Sequence, residues 1–127
     1  MTPLTELKCV HCNASTPKLS VEEIATKLFE IDDWLHSKEE DKDTLARVFT
    51  FENFDQALSF TIQLGKLAES ENHHPAILTE WGKVKVWWWT HSINGLHNND
   101  FIMAAKTDQL FKTIHHIEHP TNKPLKR

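Results

Sequence analysis

The stretch Ala76-Ile77-Leu78-Thr79-Glu80-Trp81-Gly82-Lys83-Val84-Lys85-Val86-Trp87-Trp88-Trp89-Thr90 decides the fold. It reads as a hairpin: a strand from Ala76 to Glu80, a tight turn at Trp81-Gly82-Lys83, and a return strand from Val84 to Thr90. Gly82 supplies the positive φ that such a turn requires. The return strand alternates, with Val84, Val86 and Trp88 facing one way and Lys85, Trp87 and Trp89 the other. The first set is apolar and is assigned to the side covered by helices. The second leaves two tryptophans beside His91, which points to a ligand or subunit contact or to plain edge packing.

Upstream of the hairpin, Asn53 caps a helix running to about Glu69, with Gln56 at the reciprocal box position. Phe54, Ala57, Thr61, Leu64 and Ala68, widened by Leu58 and Ile62, give it a broad apolar face for core or interface. Before it, Leu45 to Phe51 alternates as a strand. Trp34 begins a short strand, and the charged run Lys38 to Asp43 is a solvated connection. Ser20 and Glu23 form a capping box for a first helix over about 20–31, carried by Ile24, Leu28 and Ile31. Downstream, Asn94-Gly95 is a turn and a third helix starts near Asn98, with Ile102, Ala105, Gln109 and Leu110 on a partly apolar face.

The order is helix, strand, strand, helix, strand, strand, helix. Antiparallel pairs on short turns with helices segregated to one face make an α+β domain. One domain is expected over 18–113. Residues 1–17 are expected to be a flexible leader, and residues 114–127, with His115, His116 and His119, a disordered tail.

The 127 residues suffice for one core, and 39% apolar with 25% charged residues fits a globular protein. Eighteen acidic against fourteen basic residues, a net charge of −4, argue against nucleic acid as partner. No apolar run reaches the roughly 20 residues that span a bilayer. Met1 to Glu6 lacks the pattern of a signal peptide, so a cytoplasmic location is expected. The only cysteines, Cys9 and Cys12, flank His11 in a Cys-x-x-Cys pair. Half a zinc site without a second ligand pair, in a leader rather than at a strand-to-helix junction, reads as a reduced, exposed pair without a site role.

The candidate chemistry lies at Glu69-Ser70-Glu71-Asn72-His73-His74-Pro75, followed by His91 and Asp100. Unperturbed imidazole titrates near about 6.5, so each histidine can give or take a proton at neutral pH. Pro75 biases His74 to an extended backbone. The plain reading of Asp100 is a helix N-terminal charge, and of adjacent histidines a surface accident. No serine or cysteine stands in a nucleophile motif and there is no phosphate loop. General acid–base catalysis without a covalent intermediate suits the set best. Metal binding is disfavoured because adjacent histidines on a strand point apart.

The segments Glu69-x-x-x-His73-His74-Pro75, Gly82-Lys83-Val84, Thr90-His91 and Gly95-Leu96-x-x-x-Asp100 resemble the pterin-4a-carbinolamine dehydratases. So do Leu19-Ser20-x-Glu22-Glu23, Trp34 and Arg47-x-Phe49-x-Phe51-x-Asn53-Phe54-x-x-Ala57. The resemblance covers roughly 18 to 111. The Cys-x-x-Cys leader and Leu78 to Lys83 are similar to bacterial members associated with phenylalanine hydroxylase.

The resemblance implies a four-stranded antiparallel sheet with three helices on one face. It also implies elimination of water from 4a-hydroxytetrahydropterin to quinonoid dihydropterin, with the pterin as substrate, no cofactor and no metal. By position it gives proton transfer to His73 and His91 and orientation of the pterin to His74. Asp100 tunes or orients His91, and Glu69 holds local backbone or reaches the pterin. Backbone of Asn72 to His74 and of Trp89, Thr90, His91 and Ser92 holds the ring. Where animal members carry an aromatic two positions after the proline, Ile77 stands here, and Trp89 is expected to replace that wall. A homodimer or homotetramer is expected. The alternative is a non-catalytic dimerisation or coactivator module.

Overall fold

A computed structural model describes residues 2–118. Helix α1 spans Val21–Lys27 and is closed at its start by the Ser20/Glu23 capping box, both arms of which form. It is shorter than the expected 20–31, because the chain tightens into a 3-10 turn at Leu28–Glu30. Ile24 and Ile31 are still buried. Strands β1 (Leu35–Glu39) and β2 (Lys42–Thr50) follow, then α2 (Phe54–Glu71), β3 (Ala76–Glu80), β4 (Lys83–Trp88) and α3 (Asn98–Glu118). The sheet is antiparallel throughout, in the order β1-β2-β4-β3.

The run Lys38 to Asp43 is a hairpin rather than a loose connection. β1 and β2 pair through Lys38 and Asp43 and reverse over Glu40 and Asp41, both left-handed at φ 50° and 66°. The usual Asn-Gly signal for that turn is missing. The other hairpin turns on Gly82 at φ 78°.

Alternation sets the layers. Leu45, Phe49, Val84, Val86 and Trp88 point to the helices and are buried, while Val48, Thr50 and Lys83 are exposed. Leu45 stands opposite Trp88, and Phe49 opposite Val84. Phe49 lies 4.9 Å from the rings of both Phe60 on α2 and Phe111 on α3, and 5.9 Å from Trp34. Trp34 sits just before β1, where its Nε1 donates to Asp108, which also pairs with Arg47 at 2.6 Å. Burial nonetheless pushes the Asp108 carboxyl up. On α3 the buried face is carried by Phe101, Met103, Ala104 and Thr107 besides the expected Ile102, and Gln109 is exposed.

At both ends the described structure runs past the expected domain bounds of 18 and 113. α3 continues past 113 to Glu118 with Ile114 buried, because Ile114 finds the core one turn beyond the last strongly apolar positions. The side chains of His115 and His116, and all of 119–127 including His119, lie outside the described residues. The leader packs against the body: Leu4–Glu6 forms a 3-10 turn beside α3, and Leu4 and Cys9 pack on the core. Among the described residues no helix is long and apolar enough to cross a membrane.

Candidate active site

The end of α2 turns on Asn72, which adopts φ 52° and closes the helix by donating its N–H to the carbonyls of Ala68 and Glu69. That left-handed step sends His73 inward and His74 outward. His73 is buried, its ring parallel to that of Trp88 at 5.6 Å. After β4, Thr90 bridges to Gly95 and the chain makes a 3-10 turn over His91–Ile93. Asp100 enters in the first turn of α3. These three junctions lie side by side at one end of the sheet. They open onto a pocket of about 540 Å³ lined by Asn72, His73, His74, Thr90, His91 and Ser92, together with Cys9 to Cys12, Glu71 and Asn99.

Asp100 is fully buried. Its Oδ1 accepts from His73 Nε2 at 2.6 Å, and its Oδ2 accepts from the Thr90 hydroxyl at 2.7 Å and the His97 N–H at 3.0 Å. The expectation that Asp100 orients His91 is therefore corrected: its partner is His73. The reason is depth, since the first turn of α3 lies under the inward-facing His73 while His91 stands exposed on the rim. His91 Nε2 instead donates to the His74 carbonyl at 3.0 Å, tying the two rims together. His74 Nε2 donates to Glu69 Oε1 at 2.7 Å on the surface. Glu69 reaches the His74 ring and is not among the pocket-lining residues.

Each of these three ring contacts is to an acceptor, so each ring carries its proton on Nε2 and, when neutral, has its lone pair on Nδ1. The arrangement thus presents imidazoles able to exchange protons beside a concave, half-open space.

Trp89 is placed differently from the wall expected of it. It stacks on the His91 ring at 4.4 Å but faces a separate groove with Trp87, Glu39, Lys42 and Ala76, with the Lys42 ammonium 4.7 Å from its ring. The period of two puts its side chain on the open face of the sheet. Ile77 packs on the core.

The leader is the part of the site that sequence reasoning missed. Cys9 is half-buried, and burial, then the carboxylates of Glu71 and Asp100, push its thiol up to about 12. Burial pushes Cys12 up as well. Glu71 and Asn99 were also missed. The signal for Asn99 was thin: an Asn-Asn-Asp run at a helix start reads as capping. Among the described residues no cluster of three or more metal-ligand side chains occurs.

Fold and site together define a small α+β domain that gathers imidazoles and one buried carboxylate at the open end of its sheet. Residues 17–110 match the family model described as pterin 4 alpha carbinolamine dehydratase. A Chlorobium luteolum protein named "Putative pterin-4-alpha-carbinolamine dehydratase" is 50% identical over 114 residues, covering 90% of this chain and all of that protein. The crystal structure of a transcriptional coactivator/pterin dehydratase from Brucella melitensis superposes with a TM-score of 0.66 at 31% identity, over 74% of this chain and 98% of that one. The chain belongs to the pterin-4a-carbinolamine dehydratase family.

Proposed function

We propose that the protein eliminates water from 4a-hydroxytetrahydropterin to give quinonoid dihydropterin. In that reaction the C4a–O bond breaks and the hydroxyl leaves as water after taking a proton. N5 loses its proton, and the freed pair forms the C4a=N5 double bond. Atoms and electrons balance without a redox partner or cofactor. The step needs an acid at the hydroxyl and a base at N5, which imidazoles serve at neutral pH.

The observation that carries the reading is the convergence of His73, His74 and His91 on one pocket within a chain of this family. His73, fixed by Asp100, and His91, at the rim, are assigned proton transfer. His74 is assigned to orienting the pterin, and Asp100 acts through His73 as a positioning residue. Backbone of Asn72 to His74 and of Thr90 to Ser92 is assigned to holding the ring. In this reading the protein serves tetrahydropterin recycling beside a phenylalanine hydroxylase in the cytoplasm, as a homodimer or homotetramer. The exposed Phe54, Leu58 and Ile62 on α2 support self-association.

The test is to generate the carbinolamine with a phenylalanine hydroxylase, add the protein and follow dehydration by absorbance. Wild type should accelerate the step, and His73→Ala and His91→Ala should each lose about 100-fold or more in kcat/KM, the range of lost acid–base catalysis. Dehydration by wild type at only the spontaneous rate would overturn the assignment and favour a binding module.

A further inference from the structure

Residues 9–12 lie outside the span 17–110 that the family model matches, yet Cys9, Val10, His11 and Cys12 all line the histidine pocket. Their hold on the body is specific. Asn99, itself buried, pairs with Val10 as one strand pairs with another: the Val10 N–H donates to Asn99 Oδ1 at 3.0 Å and Asn99 Nδ2 donates to the Val10 carbonyl at 2.8 Å. The same Nδ2 lies 3.4 Å from Cys12 Sγ, and the Cys9 thiol is 3.9 Å from the Asn99 carbonyl. One residue earlier, the Cys9 N–H donates to Glu71 Oε1 at 3.1 Å, and Glu71 is in turn paired with Lys106 at 3.2 Å.

This is a clasp, and it assigns the cysteines a part. A thiol pushed up to about 12 stays protonated at neutral pH and is a poor nucleophile. Cys9 and Cys12 instead flank the Asn99 amide and backbone. Between them His11 is exposed, and among the described residues its ring makes no hydrogen bond. An ordinary surface histidine would also be free. This one differs because backbone bonds of Cys9 and Val10 hold the chain before it, the Cys12 sulfur meets the Asn99 amide after it, and it lines the pocket where a substrate is to bind.

We propose that Cys9–Cys12 is a substrate strap in which His11 hydrogen-bonds a polar group of the bound pterin, and that Asn99 is the positioning residue holding the strap in place. The nature of the ligand rests on the dehydratase reading; the strap itself rests on the geometry.

The test uses the full chain with two readouts: turnover of the carbinolamine, and equilibrium binding of 7,8-dihydropterin by calorimetry. His11→Ala should raise KM and the dihydropterin Kd about five- to tenfold, the loss of one hydrogen bond, with kcat within about twofold. His11→Gln, which keeps a donor and an acceptor, should recover part of the loss. Asn99→Ala should weaken binding at least as much, and adding His11→Ala to it should cost less than about twofold more, because the two act as one unit. Thermal unfolding of His11→Ala should match wild type, so that variant decides the matter even where Asn99→Ala folds poorly.

His11→Ala with wild-type KM and Kd overturns the strap while leaving the dehydratase standing. A wild type that binds dihydropterin through His11 yet shows no acceleration keeps the strap and overturns the dehydratase. A wild type that binds no pterin overturns both.

Discussion

Three donors converge on the carboxylate of Asp100, each from a different part of the chain: the His73 ring, the Thr90 hydroxyl and the His97 N–H. A buried carboxylate needs such partners, because taking it from water without them is costly. Thr90→Val keeps the shape and removes one donor. Unfolding in urea should show a loss of about 1.5–3 kcal/mol, the range for a hydrogen bond to a charged group. Because the carboxylate also holds the His73 ring, kcat should fall severalfold while KM stays near wild type. A variant with full stability and full kcat would show that Thr90 is dispensable to the pair.

At this scale the sequence was half legible. His73, His74, His91 and Asp100 stood out as residue types able to move protons, and the pocket does gather the three histidines. Which histidine the carboxylate serves was hidden, because it depends on how deeply α3 docks beneath the Asn72 turn. The same holds for Trp89: alternation put it on the open face, where it backs the His91 ring and lines a neighbouring groove.

Among the elements, α2, β3 and β4 were legible nearly to the residue, since capping at Asn53, the apolar stripe and Gly82 agree with one another. The β1–β2 hairpin was not. Glu40 and Asp41 both sit in the left-handed region; Asp tolerates it, but Glu does not, and no glycine marks the turn. Side chains with a Cβ cost roughly 1–2 kcal/mol in that region. Glu40→Asn with Asp41→Gly should therefore raise the unfolding free energy by about 1 kcal/mol, read from urea denaturation. A destabilised double variant would mean that the Lys42–Glu40 pair matters more than backbone strain. The capping box of α1 was equally legible, but its end was not: Ile31 continues the apolar spacing, and only packing reveals that the chain has already tightened into a 3-10 turn.

For the whole molecule, acid stability should depend on the strap. Burial pushes the Glu71 carboxyl up, but the Cys9 N–H and the Lys106 ammonium outweigh it and hold it below the usual value near 4.5. A depressed carboxyl contributes stability that is present above the unfolded value and lost as pH falls through the folded one. Wild type should thus be more stable than Glu71→Gln above about pH 4.5, and the gap in Tm should close as pH falls below it. A gap that stays constant with pH would mean that Glu71 contributes through packing alone. The leader's contribution was illegible because a short polar segment carries no periodicity; its order comes from partners 62 and 89 residues away. That separation has a consequence for biosynthesis. Cys9 and Val10 cannot settle until Asn99, 89 residues after Val10, has left the ribosome, so the pocket is completed only once α3 has begun to emerge. A nascent chain stalled before α3 carries His73, His74 and His91 but lacks both the carboxylate beneath His73 and the amide that clasps the strap.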